Sequence, residues 1–139
     1  MTTMVVDCSV SVKWFVPEEL EAEAARILDP EWTLRVPGHW RTELLNALWK
    51  KHVPLHEVSR PELSRILPVA FAFPVVTTPA EELLESAVQL ALQHSRTIYD
   101  SLYIALALRE KCQFVTADLR LFNAMKDALP ETMLWLGDC

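Results

Sequence analysis

Four carboxylates stand where this chain changes from one kind of local structure to another: Asp7, Glu43, Asp100 and Asp118. Asp7 follows Met4-Val5-Val6 and Asp118 falls just past Gln113-Phe114-Val115-Thr116, both short, apolar and β-prone as buried parallel strands are. Thr97 followed three residues later by Asp100 is a helix N-terminus signature, so a helix begins near Ile98. Glu43 lies along the inward stripe Trp40, Leu44, Ala47 and Leu48; none of its i±3 or i±4 neighbours is Lys or Arg, and His39 is its only nearby possible cation. A fold that gathers these acids at one sheet edge must neutralise them. Carboxylates a few ångströms apart cannot all stay ionised cheaply, so either some pKa values rise or divalent ions enter. Oxygen ligands select Mg²⁺ or Mn²⁺, and one or two such ions suit in-line phosphodiester hydrolysis, holding the attacking water and the departing oxygen. Ser9, two residues after Asp7, and Thr116, two before Asp118, add hydroxyls in support, and Asn46, one turn after Glu43, is a similar candidate. Each acid alone has a simpler reading as a cap, a turn residue or a solvated helix glutamate; the conjunction points to a site.

The elements that must carry these residues follow from periodicity. A helix after Ser9 carries Trp14 and Phe15, and between Glu18 and Leu28 the residues Leu20, Ala24, Ile27 and Leu28 make an amphipathic face. Thr33 to Val36 reads as a second strand, Pro37-Gly38 as a turn, and the Glu43 helix runs to about Lys51. A helix from Ser59 carries Leu63, Leu67, Ala70 and Phe71, interrupted by Pro68, before a third strand over residues 74–77. Pro79 starts a helix through Leu92, a last helix carries Phe122, Met125 and Leu129, and Met133 to Leu136 forms a closing strand. Short strands alternating with longer helices predict an α/β fold, a three-layer α/β/α sandwich around a central, mainly parallel sheet of about five strands.

Length and composition frame this. A chain of 139 residues, 51% hydrophobic, is the size of one domain and can bury its own core, so residues 1–139 are expected to form a single domain. Three widely spaced cysteines give neither a disulfide framework nor a metal knuckle, and no apolar run approaches a membrane span or a signal peptide, so a cytoplasmic protein is expected. The net charge of −6 argues against nucleic acid, yet without the four acids 15 acidic residues face 13 basic ones, and Arg41, Lys50, Lys51, Arg60 and Arg65 remain to meet phosphates. The i, i+4 pair His52 and His56 is broken by Pro54, and no histidine is placed locally to activate Cys8, so zinc and thiol chemistry are disfavoured.

The ordered set V-V-D-C-S at Asp7, T-E-L-L-N-A-L at Glu43, Y-D-S-L-Y-I-A-L-A at Asp100 and V-T-A-D-L-R-L-F at Asp118 resembles a PIN-domain ribonuclease, in particular the toxin component of VapBC-type toxin-antitoxin modules. The resemblance covers essentially the whole chain. It implies a metal-dependent endoribonuclease in which Asp7, Glu43, Asp100 and Asp118 bind metal, Ser9 and Thr116 support them, RNA is the substrate and an antitoxin is the cognate partner. Some relatives carry a further acid just after the fourth aspartate, where this chain has Leu119 and Arg120, which implies weaker hold on a second ion. Leu63, Leu67, Ala70 and Phe71, with Trp49, offer more apolar surface than a small sandwich buries, so a homodimer is expected, and the acidic site would attract an Arg or Lys of an inhibitory partner. Two other readings are a catalytically degenerate PIN scaffold and a receiver-like signalling domain; the latter needs an aspartate ending a central strand, and between Pro37 and Phe73 there is none.

Overall fold

Apolar residues alternate between two destinations along each central strand. Met4 and Val6 of β1 (Thr2–Val6) enter one buried cluster with Leu34 and Val115, while Val5 enters a second, larger one with Val36 and Phe114. Both faces of the sheet are therefore covered, as the continuous apolar character of these runs requires. The computed structural model describes residues 2–139 and places five parallel strands in the order β3-β2-β1-β4-β5. The others are β2 (Trp32–Pro37), β3 (Val76–Thr78), β4 (Gln113–Thr116) and β5 (Met133–Trp135). The predicted three-layer α/β/α sandwich is the observed architecture.

Among the described residues seven α-helices cover the sheet: α1 (Cys8–Ser11), α2 (Glu21–Arg26), α3 (Trp40–His52), α4 (Arg60–Phe71), α5 (Leu84–His94), α6 (Ile98–Glu110) and α7 (Leu119–Met125). Helix α6 is the central one. Every residue from Ser101 to Ala107 is buried, because its sequence is apolar on all sides and it lies between the sheet and its neighbouring helices. At the end of β2, Gly38 lets the chain turn close to the third strand: a Cβ there would sit 3.1 Å from the Ala80 amide nitrogen. That close approach fixes where α3 begins, and with it Glu43.

Several local expectations change: the helix expected after Ser9 is the short α1 followed by a 3₁₀ turn over Val12–Trp14, and the helix expected from Pro79 starts only at Leu84, after a 3₁₀ turn over Ala80–Glu82. The third strand starts at Val76 rather than at residue 74, since Pro74 has no N–H to give a ladder. The helix predicted over residues 18–28 is confined to Glu21–Arg26, because Leu20 adopts a left-handed φ of 63° and no helix runs through it. Pro68 does not interrupt α4, because it and Ser64, whose carbonyl it leaves without a partner, both face solvent. The start of α4 obeys its cap: the Ser59 hydroxyl accepts the Glu62 N–H at 3.2 Å.

Candidate active site

The strand order sets the location. From β1 the chain moves to β2 on one side, whereas β4 passes to β5 on the other, so the carboxyl ends of β1 and β4 flank a topological switch point. Asp7 is the residue after β1 and Asp118 lies two residues after β4. The two segments are joined by hydroxyls. One carboxylate oxygen of Asp7, Oδ2, accepts bonds from Ser9 Oγ and Thr116 Oγ1, each at 2.7 Å. Thr116 Oγ1 also accepts the Asp118 N–H at 3.0 Å, and Ser9 Oγ accepts the Ala117 N–H at 2.9 Å. Thr116 is completely buried, so the hydroxyls tie the β1 and β4 loops at fixed spacing.

Asp118 caps α7, its Oδ1 accepting the Leu121 N–H at 3.2 Å. Asp100 is in the first turn of α6, where the Thr97 hydroxyl accepts its N–H at 3.1 Å. Glu43 lies in the first turn of α3, and its Oε1 accepts a 2.7 Å bond from the Tyr103 hydroxyl of α6. Asn46 is exposed one turn further, and among the described residues no hydrogen bond ties it to the acids.

The electrostatics follow from burial and like charge. Asp7, only 7% exposed, is pushed up to about 6, chiefly by burial, with Asp100 and Glu43 adding to the rise against the two hydroxyl bonds. Burial also raises Asp100, helped by Asp118 and Glu43, while Arg96 works in the opposite sense. The four acids thus sense one another, although among the described residues no three His, Cys, Asp or Glu side chains form a closed group able to hold an ion unaided. Their chemistry nevertheless fits a hard divalent cation. All the donors are carboxylate or hydroxyl oxygens, and the most buried acid has no cation among the groups that set its ionisation.

Two neighbours complete the surroundings of Glu43: His39 was expected from its i, i+4 spacing, and Tyr103 was not. The Tyr103 phenol is held far above its ordinary range by burial and so is a neutral hydrogen-bond donor. His39 Nε2 approaches Glu43 Oε1 to 3.0 Å, but at an angle that leaves both ring nitrogens buried without a hydrogen bond. Tyr103 shares a helix face with Asp100 at i, i+3, which was the available signal for it. The half-buried Cys8 thiol is raised by burial first and Asp7 next, which keeps it protonated and inert. Lys51 is withdrawn from the proposed phosphate contacts by Glu18 at 2.6 Å and Glu57 at 2.9 Å.

The sequence match decides the family: the model of the PIN domain fits residues 4–127, nearly the whole chain. The chain belongs to the PIN domain family. A receiver-like domain is thereby set aside. Within the PIN family, the chain is 32% identical over 120 residues to Ribonuclease VapC3 of Pyrobaculum aerophilum, covering 85% of this chain and 91% of that one. The PIN fold also aligns with the crystal structure of PAE2754 from the same organism at a TM-score of 0.66, with 22% identity, over 99% of this chain and 85% of that one. A toxin-antitoxin complex from Klebsiella pneumoniae gives a TM-score of 0.59 with 13% identity, over 83% and 86% of the two chains.

Proposed function

We propose that residues 1–139 form a single metal-dependent endoribonuclease domain, the toxin of a toxin-antitoxin module acting in the cytoplasm, with Asp7, Glu43, Asp100 and Asp118 as its metal-binding acids. The observation that carries this reading is Asp7: a buried carboxylate at the carboxyl end of a central strand, in the field of Asp100 and Glu43, with no cation among the described residues that set its ionisation. Burying such a charge unpaired is costly unless an ion or proton arrives. The ribonuclease relative supplies the substrate class, and the toxin-antitoxin complex supports an antitoxin partner.

One or two Mg²⁺ or Mn²⁺ ions held by these acids would polarise the scissile phosphate and lower the pKa of the attacking water. The residues' own work is orientation. Ser9 and Thr116 fix the rotation of the Asp7 carboxyl, leaving its second oxygen free; the α7 cap fixes Asp118; the α6 N-terminus presents Asp100; Tyr103 steadies Glu43. Arg96, near Asp100, and the exposed Arg120 are cations able to meet substrate phosphates.

Partner surfaces accord with a homodimer through two of the expected residues, Phe71 and Trp49, while Leu63 and Leu67 are half-buried. Ala70 is fully buried, whereas Phe71, Val69 and Trp49 are exposed at 58%, 54% and 49%. An antitoxin that inserts Arg or Lys among Asp7, Asp100 and Asp118 would compete with the metal, so inhibition should weaken as Mg²⁺ rises.

The test is cleavage of RNA by purified protein with Mg²⁺ or Mn²⁺, with chelator, and with Asp100→Asn. Cleavage should need the metal and fall by at least a hundredfold in the variant. An Asp100→Asn protein that folds and cuts like the parent would overturn the assignment.

A further inference from the structure

Glu43 is the one acid of the four whose oxygen is held by a side chain from a different helix. Tyr103 reaches it from α6, one turn after Asp100, and its hydroxyl donates to Glu43 Oε1 at 2.7 Å. The phenol cannot wander. Only 1% of Tyr103 is exposed; its ring stacks on Phe114 of β4 at 5.5 Å and 16°, and meets the edge of His39 at 4.9 Å and 62°. His39 immediately precedes α3 and brings Nε2 to 3.0 Å from the same Glu43 oxygen. A row of rings thus runs from the sheet to the Glu43 carboxylate, linking the helix that carries Asp100 with the helix that carries Glu43.

We propose that Tyr103 is a positioning residue for Glu43: its hydroxyl, held by Phe114 and His39, sets the carboxylate orientation on which metal affinity depends. This rests on the reading of Glu43 as a metal-binding acid. Glu43 has a side chain that is one-third exposed and several rotatable bonds, so without the phenol it samples orientations that turn its oxygens to bulk water. Groups that hydrogen-bond a ligating carboxylate contribute about 10- to 100-fold to metal affinity or activity. The bond consumes only one lone pair of Oε1, and Oε2 stays free to face an ion.

Tyr103→Phe keeps the ring contacts and deletes the hydroxyl alone. Mn²⁺ binding, followed by calorimetry without RNA, should weaken by about tenfold or more, while the melting temperature in chelator stays within a few degrees of the parent. The rate at subsaturating Mn²⁺ should fall with KM for RNA unchanged, and excess Mn²⁺ should restore much of it. Tyr103→Phe that binds Mn²⁺ as tightly as the parent overturns the proposal, whatever its activity. Lost affinity accompanied by a drop in melting temperature of ten degrees or more assigns Tyr103 a role in folding and also overturns it. A parent protein that binds Mn²⁺ but cuts no RNA sinks the nuclease reading and leaves the affinity comparison to decide for Tyr103. A parent that binds no Mn²⁺ sinks both.

Discussion

Replacing Asp7 by Asn should stabilise the metal-free protein while abolishing the activity proposed for it. Native Asp7 is 7% exposed, and its carboxyl is pushed from an ordinary 3.8 up to about 6, mostly by burial. Folding therefore favours the protonated form. A pKa raised on folding gives stability that is fully present below about pH 4 and is lost as pH climbs through about 6. The distance from 3.8 to about 6, at about 1.36 kcal/mol per pH unit, comes to about 3 kcal/mol weighing against the fold at neutral pH. Asparagine has the same shape and no charge, and its carbonyl can accept the two hydroxyl bonds that Oδ2 now accepts from Ser9 and Thr116. In chelator near pH 7.5 the variant should gain up to about 3 kcal/mol, which for a domain of this size raises Tm by about 10 °C. The gain should shrink to nothing near pH 4. Excess Mn²⁺ should raise the parent melting temperature, by about 2.7 kcal/mol of stability at a hundred times Kd, and leave the variant almost unmoved. The assay is thermal unfolding by circular dichroism across this pH range, with and without metal. An Asp7→Asn protein that melts at or below the parent temperature in chelator near pH 7.5 would refute the claim that an unneutralised buried charge dominates at this position.

Thr116→Val should cost about 2 kcal/mol by denaturant melt, because it removes a hydroxyl that donates to a carboxylate at 2.7 Å and leaves the Asp118 N–H without its acceptor. Trp40→Ala should cost about 3–5 kcal/mol, since Trp40 is 1% exposed and its Nε1 donates to the buried Ser11 Oγ at 2.8 Å; Trp40→Phe, which loses that bond but only part of the ring volume, should cost less. Phe71→Ser should leave the melting temperature of the isolated chain within a few degrees, the side chain being 58% exposed, but lower the apparent mass in light scattering at tens of micromolar.

Strand and helix identity was legible because the period of the pattern matched burial. Gln113 to Thr116 was read residue for residue as β4, and Thr97 with Asp100 announced α6. Boundaries failed where a single residue acted through its surroundings: Pro68 is harmless because solvent takes the carbonyl it frees, and Leu20 ends a periodic face by its backbone angle alone. At the site, positions following strands could be named, since chain order and sheet topology leave few places for Asp7 and Asp118. The Tyr103 bond to Glu43 spans 60 residues in sequence and depends on how α3 and α6 are set against each other, which no local pattern encodes. Lys51 likewise read as a free cation until Glu18, 33 residues away, closed on it.

The hydroxyl tie between the β1 and β4 loops also sets a clock. Asp7 gains its Thr116 bond only after a further 109 residues have been made, and β4 is itself paired with β5 at Met133–Trp135. At synthesis rates of about 5–20 residues per second, the first acid therefore waits on the order of ten seconds for its partner strand. During that interval the nascent chain carries Asp7 and Glu43 without β4, so an early fragment lacks part of the proposed site. Non-local closure of this kind is slow, so the proposed activity should appear only once the whole fold is complete. A chain truncated before residue 113 should accordingly be inert, not weakly active.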